Sequence, residues 1–190
     1  SAAAGRVSLA GMSWVHRSIA ALLAAAPATS AVASDVRFDR FLSGFERCAP
    51  TGEFEAFARS LAERHRNPCC SPGPANVDAS VTIVVPPEVA AGVGAATSRN
   101  EGEYTAVTVP LAGTYSGVPV SSFLFVFGNE NGIGAASLGF AAPRAEIVRR
   151  FGADVAAAAD AGRSESEMGA GYTAVIGDGE PGAIVCDWST

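Results

Sequence analysis

The 190-residue chain has no lysine; all 13 of its basic residues are arginines. It has no Asp or Glu before Asp35, although 19 acids follow. Histidine occurs only as His16 and His65. Each scarcity excludes something. A phosphate loop of the P-loop kind needs a lysine after its glycines. The nearest glycine-rich run, residues 128–134, has none and stands between two predicted strands, so it reads as a hairpin turn. There is no Gly-x-Ser-x-Gly, so the strained nucleophile elbow of the serine hydrolases is not encoded. There is no C-x-x-C, so the paired knuckles of a structural zinc site are missing.

The acid-free opening has the three-part layout of a secretory signal. His16 and Arg17 form a short basic region, residues 19–26 are continuously apolar, and Pro27 closes the run. Ala31-Val32-Ala33 then supplies a small-x-small cleavage site. The expectation is a leader over 1–33, cleaved after Ala33, and one domain over 34–190. The apolar run is shorter than the roughly 20 residues that span a bilayer. The chain is therefore expected to be periplasmic or secreted, with no membrane span after cleavage.

The segment 34–190 carries 11 arginines against 19 acids, a net charge of -8. Nucleic-acid binding rests on a basic patch that neutralises phosphates, so no nucleic-acid partner is expected. The acids are scattered and read as solvation.

Four cysteines, Cys48, Cys69, Cys70 and Cys186, stand in this expected exported segment. An even count in an oxidising compartment reads first as disulfides. Joining Cys69 to Cys70 requires a strained eight-membered ring. The favoured pairings therefore tie Cys48 and Cys186 each to one member of the Cys69-Cys70 step. A zinc site would draw on the same cysteines and on His65, four positions before Cys69; no metal or other cofactor is expected, because the spacing is wrong for one.

The apolar spacing of Phe38, Phe41, Leu42, Phe45 and Cys48 predicts a helix over 36–48. Pro50 stops it, and Thr51 caps a second helix that carries Glu53 and Glu55 in its first turn and runs to about Arg66. Three prolines and a glycine make 67–76 a loop. Strands are expected at 77–85, 104–111, 118–127 and 133–140, with turns at 98–102 and 129–132. Pro143 opens a third helix with Gly152 as its C-cap, and 153–161 either extends it or forms another short helix. A polar loop over 162–171 leads to a closing hairpin, 172–176 and 183–188. The order is α-α-β-β-β-β-α-β-β. Strands arriving in hairpins predict an α+β fold: an antiparallel sheet of about six strands with the helices on one face.

Function is less legible. His65 ends an apolar helical stripe and reads as a partly buried, hydrogen-bonded helix-end residue; any Ser-His or Cys-His mechanism would have to use it. Tyr115, Tyr172 and Trp188 each lie near an element end and carry a polar handle, which makes them the candidate recognition surface. No pair of carboxylates stands out for hydrolysis. The reading is a noncatalytic exported protein that binds another protein or an envelope component, as an inhibitor or envelope factor would. Phe-rich faces suggest an alternative, a carrier for a small apolar ligand held between sheet and helices. A hydrolase using His65 is the third.

Overall fold

The computed structural model describes residues 35–166 and 171–189. The expected signal and its cleavage after Ala33 lie outside the described residues, as do residues 167–170 of the expected polar loop. The elements are α1 (Gly52–Arg64), β1 (Thr97–Asn100), β2 (Tyr104–Tyr115), β3 (Val118–Gly128), β4 (Gly134–Phe140), α2 (Arg144–Ser166), β5 (Thr173–Ile176) and β6 (Ala183–Asp187). The six strands form one sheet in the order β1-β2-β3-β4-β6-β5. Every neighbouring pair is antiparallel. The class is the expected α+β. Among the described residues no helix is long and apolar enough to cross a membrane.

Side chains alternate across a strand, so the sheet has two unlike faces. The inner face carries Val107, Val109, Phe123, Leu138, Phe140, Ile184 and Cys186, all buried. Both helices lie on it. Phe54 of α1 packs edge-on against Phe123 at 5.0 Å, and Phe151 of α2 meets Phe140 at 5.4 Å. Phe41, Phe45 and Phe57 complete the ring cluster. Burying one such side chain is worth about 1.5–3 kcal/mol, so this layer is the main source of stability. The outer face is a set of cross-strand rows. One joins Thr108, Leu124, Ser137, Val185 and Val175, and the next joins Ala106, Val126, Ala135, Asp187 and Thr173.

Three expectations are corrected. Residues 36–48 are not a helix. Arg37 bridges to Thr114 beside β2, one turn follows, and only Phe45–Arg47 form a 3-10 turn. Gly44 breaks the helix: its φ is +84°, and a Cβ there would lie 2.2 Å from the Ala49 carbonyl oxygen. Phe38, Phe41, Leu42, Phe45 and Cys48 of that stretch are nevertheless all buried.

Residues 77–85 are not a strand. A turn at Asp78–Val81 interrupts them, its Val81 N–H donating to the Asp78 carbonyl at 3.2 Å; the segment then passes along α1, where the Val84 N–H donates to Ser60 Oγ at 2.9 Å and Arg64 Nη1 donates to the Val81 carbonyl at 2.6 Å. Val81, Ile83 and Val85 are half-buried while Thr82 and Val84 are exposed, so the period-2 pattern is a one-sided packing against a helix. The missing strand is β1, which occupies the start of the expected turn at 98–102; the turn itself begins at Glu101.

Third, α2 passes through Gly152 to Ser166. Gly152 is not among the positive-φ glycines, so no left-handed cap forms there. The alanine-rich stretch that follows propagates the helix. The hairpin between β2 and β3 uses Ser116 and Gly117, both at positive φ, as a tight two-residue connection requires.

Candidate recognition loop

Thr51 caps α1 as expected, its Oγ1 accepting from the Phe54 N–H at 3.2 Å. The helix stops at Arg64, and His65 follows as its C-cap residue. The ring of His65 is buried. Its Nδ1 lies 2.9 Å from Ser98 Oγ on β1, and its Nε2 is enclosed without a hydrogen-bond partner. Burial holds its pKa below the ordinary value, and the neighbouring Arg64 charge lowers it further. No carboxylate is hydrogen-bonded to either ring nitrogen among the described residues.

Beyond His65 the chain is hung from a line of amides, with Asn67 and Asn100 buried and Asn129 half-buried. Asn67 Nδ2 donates to the His65 carbonyl at 2.8 Å and to Thr105 Oγ1 at 3.0 Å, while its Oδ1 accepts from the Asn76 N–H at 2.6 Å. Thr105 Oγ1 donates to Asn129 Oδ1 at 2.7 Å. Asn129 Nδ2 donates to Asn100 Oδ1 at 3.2 Å and to the Gly102 carbonyl at 2.7 Å. Asn100 Nδ2 reaches the Ser71 carbonyl at 3.3 Å, and the Gly73 N–H donates to the Asn100 carbonyl at 3.3 Å. Buried polar groups of this kind are stable only when paired, and a paired set fixes one geometry. The exposed loop 68–76 is thus tied at both ends and near its middle. Pro68, Pro72 and Pro74 restrict the backbone between the ties. Beside the loop lies a cleft of about 520 Å³, walled by Arg64, His65, Val77, Ile83 and Ser98.

The cysteines do not pair as the sequence suggested. Cys48 is bonded to Cys186, with Cα atoms 5.5 Å apart. Both are buried in the core, Cys186 on the inner face of β6. Cys69 and Cys70, out in the loop, are joined to each other across a cis peptide. The core places the two distant cysteines together, which leaves the neighbours only one another. Among the described residues no group of three His, Cys, Asp or Glu side chains is arranged to hold a metal.

The recognition candidates separate. Tyr115 is corrected: it is buried, stacked on Phe151 at 5.5 Å, and its hydroxyl donates to the Glu46 carboxylate. Burial pushes its phenol far above the ordinary range, and Glu46 adds to the effect. Tyr172 and Trp188 are half-buried against the core. Thr173 pairs with Asp187, so these two aromatics flank the same end of the closing hairpin. Asn67, Asn76, Asn100 and Asn129 went unmarked in the sequence, where each is one more loop amide; their only signal was a place beside prolines and glycines.

Comparison with protein-family models, curated proteins and solved structures finds no match to this chain.

Proposed function

We propose that the protein is a noncatalytic exported binding module, an inhibitor or envelope factor, which presents the 68–76 loop to a macromolecular partner. The observation that carries the reading is an exposed, proline-rich loop hung from buried asparagines. A loop already held in one conformation loses little entropy on binding; each side chain that need not be ordered spares about 0.5–1.5 kcal/mol. The cysteines in disulfides favour an oxidising compartment.

The His65 environment supports a scaffold role over a catalytic one. A base must become a cation when it takes a proton. This imidazole would do so in a buried place beside Arg64, with no carboxylate bonded to it. The carrier alternative needs space between sheet and helices, and phenylalanine rings fill that layer.

The test is capture from envelope extract and culture supernatant on the immobilised chain. A stoichiometric protein retained by the native chain is expected, and it is lost when residues 71–74 are replaced by Gly-Ser-Gly-Ser. Retention unchanged by that replacement overturns the reading.

A further inference from the structure

The sheet opens at its β1 edge. The Gly73 N–H donates to the Asn100 carbonyl, and the two residues form an antiparallel bridge. Were that ladder to continue, Ala75 would face Ser98 and Val77 would face Ala96. No backbone hydrogen bond joins either pair; the two stretches part, and all four residues line the cleft beside the loop. The backbone groups of β1 point alternately toward β2 and away from it. Those of Asn100 point away, to Gly73, so those of Ser98, two residues earlier, point away as well. The cleft is thus a gap in the sheet with an unpaired strand edge along one side.

Its walls and its charge decide what fits. Val77 is one of three large apolar side chains left exposed among the described residues, and the half-buried Ile83 lines the same gap. The buried His65 ring holds Ser98 in place through Nδ1. Among the described residues Arg64 is the only charged one that lines the gap, in a chain with a net charge of -6. One of its guanidinium nitrogens donates to the Val81 carbonyl. Asp78 lies within reach of that charge, but its carboxylate is held by the N–H and hydroxyl of Ser80 and forms no ion pair with Arg64. A cation without a carboxylate partner beside an apolar wall selects an anionic group carried on an aliphatic chain.

The open edge makes that chain a peptide. From Ala95 to Ser98 it runs for about 13 Å at the usual strand rise. An extended peptide adds to such an edge through main-chain hydrogen bonds, with alternate side chains entering the wall. The Gly73–Asn100 bridge closes one end, so a strand lying in the gap as part of the sheet stops there. The occupant is therefore a chain terminus. Charge decides which: Arg64 repels an α-ammonium group and attracts an α-carboxylate. β1 itself runs toward Asn100, so a peptide whose C-terminus meets the bridge lies parallel to it.

We infer that this gap binds the C-terminus of an extended, aliphatic-ended polypeptide, which adds to β1 as a parallel strand and sets its carboxylate against Arg64. The inference rests on the loop reading only in taking the partner to be a protein. Its test is fluorescence anisotropy of the full chain with the peptide Ser-Thr-Val-Thr-Val, carrying fluorescein at its N-terminus, as the free acid and as the amide. The free acid is expected to bind with a Kd below ~1 mM, and the amide at least ~10-fold more weakly, because charge-assisted hydrogen bonds are lost. Arg64→Gln is expected to bring the free acid down to the level of the amide, and Arg64→Lys to keep part of the difference, as a point charge does. Arg64 also holds Val81, so the contrast between acid and amide on the native chain is the measurement that needs no variant. The free acid N-methylated at alternate residues, in each of the two phases, is expected to lose binding in at least one phase. Equal binding of acid and amide overturns the inference; so does binding of neither at ~1 mM, or binding kept in both methylated forms. If the peptide binds while partner capture is indifferent to the 71–74 replacement, the loop reading alone fails. If capture depends on the loop while the peptide does not bind, the present inference alone fails.

Discussion

Tyr115 carries its hydroxyl into the interior to reach the Glu46 carboxylate. Tyr115→Phe keeps the stacking on Phe151 but withdraws a donor from a buried charged acceptor. A hydrogen bond to a charged group contributes about 1.5–3 kcal/mol, so the variant is expected to unfold at lower urea by that amount. His65 gives a pH dependence. Its folded pKa lies below the ordinary 6.5, so as pH falls through that value the unfolded chain takes the proton first. The stability due to the neutral imidazole is complete above about pH 6.5 and is lost progressively below it. The urea midpoint is expected to be lower at pH 5.5 than at pH 7.5, and the difference to shrink in His65→Gln. A midpoint difference that survives in the variant assigns the dependence to other groups.

Elements were legible where local chemistry decides them. Thr51 names the start of α1, Pro143 the start of α2, and Asn-Glu-Asn-Gly the hairpin between β3 and β4. Periodicity was a sound guide to burial and a poorer one to backbone. The spacing in 36–48 found five buried residues, yet Gly44 interrupts the helix that the spacing implied. The alternation in 77–85 found a one-sided burial, yet the segment turns at Asp78–Val81, and the backbone groups of Val81 and Val84 are met by Arg64 and Ser60 of a helix. In β1, Ser98-Arg99-Asn100 reads as the start of a turn, and pairing with β2 overrides that preference. The loop 68–76 was visible through its prolines. Its anchors were not, because the Asn67–Thr105 and Asn100–Asn129 contacts join residues 38 and 29 apart in sequence.

At the scale of the molecule, the Cys48–Cys186 bridge joins the first buried segment to the last strand across a sequence separation of 138. In the chain-entropy account a loop of that size is worth about 5 kcal/mol, and measured losses run about 2–5 kcal/mol. Replacing both cysteines by alanine is expected to lower the melting temperature accordingly while the α+β circular dichroism persists. Loss of the folded signal at room temperature would show that the core cannot close without the bridge. The separation far exceeds that of any strand pairing between sequence neighbours, so the sheet's local hairpins do not depend on the bridge for their register.

The bridge also sets an order of events during synthesis. A chain is made from its N-terminus, so Cys48 appears first and its partner Cys186 follows 138 residues later. Cys69 and Cys70 appear between them. In an oxidising compartment the thiol of Cys48 therefore meets two wrong partners before the right one exists. Any bond it forms early must be broken by thiol–disulfide exchange before the last strand can enter the sheet. Wherever the chain is oxidised as it is made, its correct assembly is thus a matter of exchange as much as of oxidation.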